Sequence, residues 1–239
     1  MSGTTGLPDW LAPVADAAAM ISAEDLTRFV PPEGAEARQG AVLMLFGEGP
    51  SGPDILFTER AHTMRSHPGQ VSFPGGSIDP DDASPTAAAL REAQEETGLD
   101  PAGVQVFAEL PQLWLPPSNF AVTPVLGWWR DESPVGVVDP DEVETVLRVP
   151  IAELMDPAHR VTVVHPRRYE APGFLIGPDH DLILWGFTAG IVSRLCDFVG
   201  WSKPWDPGVR RELPDHMLGG PVGDNQPART PDPDRKGDL

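Results

Sequence analysis

The chain has 239 residues, of which 40% are hydrophobic, so it is long enough to bury one good-sized core. Its formal net charge of −19 excludes a general nucleic-acid binder, because affinity for a phosphate backbone comes mainly from clustered Lys and Arg.

The first predicted element is a helical arm, residues 1–38, with two short helical patterns between residues 7 and 30. Ser22 is a good N-cap for the second pattern. Asp9 and Asp16 interrupt the apolar residues of the arm, and no basic start precedes them. We therefore expect neither a secretion signal nor a membrane-spanning segment.

A hairpin is predicted next, with strands at residues 41–46 and 55–58 around a turn rich in Gly and Pro. The short run at residues 70–73 has strand character, and Pro74 ends it. Gly75 and Gly76 follow, where the backbone can turn sharply or come close to a ligand.

A helix is then predicted from Pro85 to Thr97. Ser84 suits its N-cap, Pro85 suits its first position, and Gly98 suits the left-handed residue after its last turn. Glu92, Glu95 and Glu96 fall within about 100° of arc on this helix.

These three glutamates place like charges side by side, and two of them lie at the negative end of the helix dipole. A divalent cation bound by their hard oxygen ligands would turn both the charge repulsion and the interaction with the helix dipole from unfavourable to favourable. A solvated acidic face, with Arg91 and Glu95 paired at i, i+4, is the alternative. The preceding glycines favour a metal-bearing helix that meets a diphosphate.

Strands outnumber helices in the rest of the chain, which favours an α+β fold with a mixed sheet packed between helices. Further strands are predicted at 104–115, 121–129, 143–149 and 161–164, with a hairpin at 174–184, a helical turn at 151–155 and an amphipathic helix at 187–199. The single cysteine, Cys196, cannot form an internal disulfide, which indicates a reducing, cytoplasmic compartment. Residues 206–239 are rich in Pro, Gly and Asp, so we expect a disordered tail.

The glycine loop and the acidic helix resemble the motif of the Nudix hydrolases, which is a glycine, an acidic residue about six positions on, and then Arg-Glu-x-x-Glu-Glu-x-Gly. The residues at those positions are Gly76, Asp82, Arg91, Glu92, Glu95, Glu96 and Gly98. The interval from Gly76 to Arg91 is one residue longer than in the general motif, and Asp82 stands where most members have Glu. Both departures are similar to the coenzyme A diphosphatase branch.

Segments outside the motif also resemble that branch, and the similarity covers roughly residues 39–200. The upstream segments are 56–60 and 64–76, where Met64 replaces a usual Leu, and the later ones are 120–125, 141–143, 149–151 and 184–189. The resemblance implies a Nudix domain over 39–200 with an α/β/α sandwich. It also implies hydrolysis of coenzyme A or its thioesters to 3′,5′-ADP and 4′-phosphopantetheine or its acyl form.

The resemblance further implies roles for individual residues. Mg²⁺ or Mn²⁺ is expected on Glu92, Glu95 and Glu96, with Arg91 orienting a glutamate and Asp82 in the same network. The general base is a motif glutamate or a later carboxylate, for which Glu142 and Glu144 are candidates. The catalytic set is therefore predicted as Glu95, Glu96, Arg91 and Glu142, and the substrate-binding set as Arg60, Arg65, His67, Phe73, Gly75 and Gly76.

Two other functions stay open from the sequence. One is hydrolysis of another nucleoside diphosphate, such as ADP-ribose or a dinucleoside polyphosphate, against which the segment 64–76 argues. The other is a noncatalytic ligand-sensing module, for which a lost carboxylate would be expected. The expected partner is a small molecule, with no nucleic acid and no membrane, and a homodimer is left open.

Overall fold

The computed structural model describes residues 4–29, 36–64, 67–116, 119–165, 169–214 and 217. Arg65, which is predicted to bind substrate, lies outside the described residues, as does nearly all of the predicted tail beyond residue 214.

A mixed sheet forms the centre of the molecule. Its eight strands in the described residues are β1 (Arg38–Gly49), β2 (Gly52–Arg60), β3 (Val71–Ser72), β4 (Gly75–Ser77), β5 (Val104–Glu109), β6 (Leu113–Leu115), β7 (Phe120–Trp129) and β8 (Val143–Pro150). The main path runs β3-β2-β1-β7-β5, while β4 pairs with β1, β6 with β7 and β8 with β2. Strands β1 and β7 are parallel, and the other pairs are antiparallel. The predicted mixed sheet is confirmed.

Helices cover both faces of this sheet, as the sandwich prediction requires. The helices are α1 (Ala12–Ala18), α2 (Ala23–Leu26), α3 (Pro85–Thr97), α4 (Ile151–Leu154) and α5 (Gly186–Phe198). Because side chains alternate along a strand, Leu43 and Leu45 of β1 pack with the alanines of α3. Met44 and Phe46 face the opposite side, where α1 and α5 supply the other half of the core.

The N-terminal arm has the two predicted helices. Ser22 and Asp25 form a reciprocal capping box at the start of α2, in which the Ser22 N–H donates to the Asp25 carboxylate over 2.9 Å. None of the helices in the described ranges is long and apolar enough to cross a membrane.

A second, four-stranded sheet was not anticipated from the sequence. It consists of β9 (Arg160–His165), β10 (Tyr169–Ile176), β11 (Leu182–Leu184) and β12 (Arg210–Glu212), in the order β11-β10-β9-β12. The prediction of a disordered tail from residue 206 is corrected for its first residues. Strand β12 pairs in parallel with β9, and Leu213 is buried beside it, so pairing and burial order this segment.

Arg160 connects the second sheet to α5 and to the segment after it. Its guanidinium carbon lies 4.5 Å from the Phe174 ring centroid and 4.9 Å from that of Trp205, and its Nη2 donates to the Ser193 hydroxyl over 2.9 Å. The side chain is fully buried, and burial lowers the pKa of its guanidinium. The aromatic faces supply part of the stabilisation that a buried cation requires.

One buried ion pair supports the end of β1 and β2 far from the glycine loop. Arg148 binds Asp54 with two hydrogen bonds, of 2.8 Å from Nε and 3.1 Å from Nη2, and Asp54 is only 4% exposed. Asp54→Ala is expected to lower the free energy of unfolding by about 3 kcal/mol, because it strips a partner from a largely buried charge. Urea unfolding measures this effect. Glu132→Ala, which removes the exposed partner of the same arginine, is the control and should cost less than about 1 kcal/mol. Equal effects of the two variants would contradict the claim that the buried pair of Asp54 and Arg148 stabilises this end of the sheet.

Candidate active site

Helix α3 begins and ends where its sequence predicts. The Ser84 hydroxyl accepts a hydrogen bond of 3.1 Å from the Ala87 N–H, and Pro85 is the first residue. Gly98 ends the helix in the left-handed region, with φ +72°, and its N–H donates to the Gln94 carbonyl over 2.8 Å. Packing of Ala89 and Ala93 on the sheet leaves the glutamates along the flank of the helix.

The glycine loop lies against this flank. Gly75 has φ +152°, and a Cβ there would overlap the Ala41 carbonyl oxygen, so a side chain is excluded. A Cβ at Gly76 would lie 2.6 Å from both carboxylate oxygens of Glu92. The Gly75 N–H donates to Glu96 Oε2 over 3.2 Å. The two glycines therefore let the backbone of β4 touch the carboxylates of Glu92 and Glu96.

Arg91 connects the acidic residues of the motif. Its Nε and Nη2 donate to the Asp82 carboxylate over 3.1 and 3.0 Å, and Nη2 also lies 3.0 Å from Glu92 Oε1. Its Nη1 donates to Glu95 Oε2 over 3.0 Å, and Nη2 to the Ser77 carbonyl over 3.2 Å. The Arg91 guanidinium holds the pKa of Asp82 below its usual range. Arg91 thus fixes one oxygen of Glu92 relative to the glycine loop.

The electrostatics of Glu92 and Glu96 are unfavourable in the absence of a cation. The pKa of Glu96 is raised to about 8, mainly by burial and also by the nearby carboxylates of Glu92 and Glu142, against the opposing effects of the Gly75 N–H and Arg60. Burial also raises the pKa of Glu92, although Arg91 opposes it. Half-buried carboxylates held side by side are the donor set that Mg²⁺ and Mn²⁺ prefer, so the residues present fit such an ion.

The third predicted ligand, Glu95, is placed differently. Its side chain is 60% exposed and pairs with Arg91, as the alternative of a solvated face predicted. Within the described ranges, no three or more Asp, Glu, His or Cys side chains already form a cluster that could hold a metal. Glu92 and Glu96 therefore both lie against the glycine loop. Metal binding by Glu95 stays a prediction that requires a different rotamer.

Of the predicted substrate-binding residues, Arg60 lies near these carboxylates and His67 lies near Arg60. Arg60 ends β2, and its positive charge lowers the pKa of Glu96. The exposed His67 has φ +56°, and partial desolvation of its ring, followed by the charge of Arg60, lowers the pKa of its imidazole. The Gly69 N–H donates to the Arg60 carbonyl over 3.0 Å, so the loop is fixed to β2 beside the glutamates.

The prediction that Phe73 lines the substrate site is corrected. Its side chain is only 2% exposed and stacks on Phe57, with ring centroids 5.2 Å apart. The ring belongs to the core beneath the glycine loop, because Phe73 lies next to the buried strand β3. It supports the loop from below rather than contacting a ligand.

The two candidates for a general base, Glu142 and Glu144, have different surroundings in the structure. The Glu142 carbonyl accepts from the Ala61 N–H over 2.9 Å, and its exposed carboxylate acts electrostatically on Glu96. Glu144 acts instead on Glu59, a buried residue that lies 3.1 Å from His62 Nε2. Glu59 could not be singled out from the sequence, because nothing in the pattern of β2 distinguishes it from a core position. Of the two candidates, Glu142 is thus the one whose charge acts on Glu96.

Comparison with known proteins identifies the family. Residues 37–171 match the model of the NUDIX domain. This chain belongs to the Nudix family. A relative from Cronobacter sakazakii (strain ATCC BAA-894), named uncharacterized Nudix hydrolase NudL, is 40% identical over 171 residues, which cover 70% of this chain and 85% of the relative. A relative of the same name from Escherichia coli (strain K12) is 36% identical over 163 residues, covering 68% and 83%.

Among solved structures, the Nudix hydrolase RenU from M. smegmatis is similar to this chain with a TM-score of 0.45 and 19% identity, over 68% of this chain and 86% of that one. The family assignment rests on the domain model and the sequence relatives. As a Nudix hydrolase, the protein acts on nucleoside diphosphate derivatives, and the family generally uses divalent metal ions.

The raised pKa of Glu96 predicts a pH dependence of stability in the absence of metal. Its pKa is about 8 in the folded protein against an ordinary 4.5, so the folded state retains a proton that the unfolded state releases between these values. The contribution of Glu96 to the free energy of unfolding should therefore fall as the pH rises through this window. Glu96→Gln should remove that dependence. Urea unfolding in chelator at about pH 5 and about pH 9 measures the difference, and parallel curves for the two proteins would contradict the prediction.

Proposed function

We propose that this protein hydrolyses the diphosphate bond of coenzyme A or its thioesters, releasing 3′,5′-ADP and 4′-phosphopantetheine or its acyl form. The observation that carries the proposal is the close contact of Glu92 and Glu96 with the backbone of Gly76 and Gly75. The sequence segment that ends there, residues 64–76, resembles the coenzyme A diphosphatase branch.

Glu92 and Glu96, with Glu95 after a rotamer change, would hold Mg²⁺ or Mn²⁺. Such an ion, when bound, neutralises diphosphate oxygens and makes a water a better nucleophile. Arg91 keeps the Glu92 carboxylate in place through charge-assisted hydrogen bonds. Gly75 and Gly76 let the substrate approach the backbone closely.

Other residues of the chain are proposed to bind the substrate and to accept the proton of the attacking water. Arg60, Arg65 and His67 are proposed to contact phosphate oxygens, since the first of these lies close enough to Glu96 to influence its titration. Glu142 is proposed to accept the proton of the attacking water, because its exposed carboxylate is electrostatically coupled to the same site.

The remaining parts of the proposal concern the surroundings of the enzyme. The single Cys196 cannot form an internal disulfide, which supports a cytoplasmic location. The proposed partner is a small molecule alone. A homodimer remains compatible with this function.

Product analysis tests the proposal. Purified protein is incubated with coenzyme A, ADP-ribose or diadenosine polyphosphates, each with Mg²⁺, Mn²⁺ or chelator, and the products are separated by chromatography. The proposal predicts metal-dependent release of 3′,5′-ADP and 4′-phosphopantetheine, with coenzyme A as the best substrate. Much faster cleavage of ADP-ribose or a dinucleotide would contradict coenzyme A as the substrate, while metal-dependent diphosphate hydrolysis would stand. Tight binding of these compounds without turnover of any would favour a sensing module.

A further inference from the structure

A small pocket lies between the N-terminal arm and the beginning of the central sheet. It has a volume of about 150 Å³, and its walls include Phe29 from the segment after α2 and Trp114 from β6. Glu24, Thr27 and Gln112 add polar groups, and Ala121 of β7 closes one side. None of these residues has a role in the chemistry described above.

The pocket lies at the end of the sheet, where the wall from α2 packs with α5 and the wall from β7 lies on the face that carries the glutamates. Ala121 is the register partner of Gln39 in β1, and Ala41, two residues further on, is the partner of Gly76. Partners in neighbouring strands point to the same face, so Ala121 faces the α3 side. Strand spacing and rise place the Cα atoms of Ala121 and Gly76 about 12 Å apart. Gln112 donates to Gln39 Oε1 over 2.6 Å, which connects the pocket to the strand beside the glycine loop.

The size and walls of the pocket select a flat ring. A cavity of about 150 Å³ holds a single small aromatic molecule and not a whole nucleotide. Trp114 is half-buried and held in place by a hydrogen bond of 3.1 Å from its Nε1 to Asn119 Oδ1, so its ring offers a fixed face for stacking. Phe29 is 39% exposed and offers a second ring.

The polar groups of the pocket select an amine over a phosphate. The carboxylate of Glu24 accepts hydrogen bonds and repels anions. Gln112 uses its amide N–H₂ on Gln39, which leaves its carbonyl oxygen as an acceptor. A flexible chain such as the pantetheine arm offers no ring to these walls. The exocyclic amino group of a nucleobase does match them, while the diphosphate is directed towards the metal site.

We propose that this pocket binds the amino-bearing nucleobase of the substrate, and that Trp114 stacks on it. The inference rests on the proposed function in that the ligand is a nucleoside diphosphate whose phosphates reach Glu92 and Glu96. It adds a base-recognition site that the arm and strand β6 build together.

Calorimetric titration of the full-length protein with adenosine monophosphate and with ribose 5-phosphate tests the inference, because the two probes differ only in the base. The nucleotide should bind more tightly. Trp114→Ala should raise the Kd for adenosine monophosphate by about 5- to 150-fold, the equivalent of about 1–3 kcal/mol of stacking, and leave ribose 5-phosphate unchanged. Trp114→Phe should retain most of the affinity. Phe198→Ala, which removes an exposed ring elsewhere, is the control and should have no effect.

Gln112→Ala provides a second test on an exposed residue, should Trp114→Ala fail to fold. It should weaken adenosine monophosphate by about 2- to 10-fold and spare ribose 5-phosphate. Equal affinities of the two probes, or an unchanged Kd in both pocket variants, would overturn the inference. Dependence of 4′-phosphopantetheine binding on Trp114, without the same for adenosine monophosphate, would assign the pocket to the other end of the substrate and also overturn it. Absence of any diphosphate cleavage would defeat the proposed function alone, since neither probe is a diphosphate.

Discussion

Glu96→Gln is expected to lower kcat about 1000-fold while the protein stays folded. Loss of one metal-binding carboxylate removes several kcal/mol of transition-state stabilisation, and about 4 kcal/mol corresponds to this factor. The stability should not suffer, because glutamine has the same shape and the substitution removes a carboxylate whose pKa burial has raised. Steady-state kinetics with coenzyme A and Mg²⁺, together with thermal unfolding, measure both effects.

Glu48→Gln is the matched control for this variant. Glu48 is an exposed glutamate of β1, at the end of the strand that pairs with β2 rather than with the glycine loop. The control should have the kcat of the natural protein. A loss of tenfold or less in Glu96→Gln would show that this carboxylate does not hold the catalytic ion.

Gly76→Ala is expected to lower kcat about 100-fold. The new methyl group would lie 2.5 Å from the carboxyl carbon of Glu92, so this side chain has to move. A displacement of about 1 Å in a catalytic group can cost this factor, whereas the flexible end of a glutamate yields at little cost to folding. The kinetic assay for Glu96→Gln applies here, and the melting temperature should change little.

Gly136→Ala serves as the control for the added methyl group. The space around Gly136 is open to beyond 4 Å, and its φ is not positive. This control should retain full activity. If Gly76→Ala were equally active, close approach of the β4 backbone to Glu92 would have no part in catalysis.

The features that the sequence predicted well depend on local chemistry. The ends of α3 follow from Ser84, Pro85 and Gly98, each of which acts within one turn of the helix. The first hairpin follows from two apolar runs around a turn, although β1 and β2 extend further than the runs do. The separation into two sheets was not predictable, because it depends on pairings between strands distant in the chain, such as β12 with β9.

The site was predictable to the extent that its motif is contiguous. The contact of Gly76 with Glu92 follows the predicted arrangement of loop and helix. Phe73 was assigned wrongly, since an aromatic residue beside a strand gives no sign of which face it occupies until its partner Phe57 is known. The role proposed for Trp114 depends on the arm that lines the same pocket, and the sequence gives no sign of that contact.

The claim that Glu92 and Glu96 hold the catalytic ion is tested most directly by a Mn²⁺ titration followed by electron paramagnetic resonance. The natural protein, Glu92→Gln, Glu96→Gln and the control Glu48→Gln are compared at the same pH. The account predicts that the natural protein and the control bind Mn²⁺ alike, and that each of the other variants binds it at least about tenfold more weakly. Equal affinity in all four proteins would contradict the account.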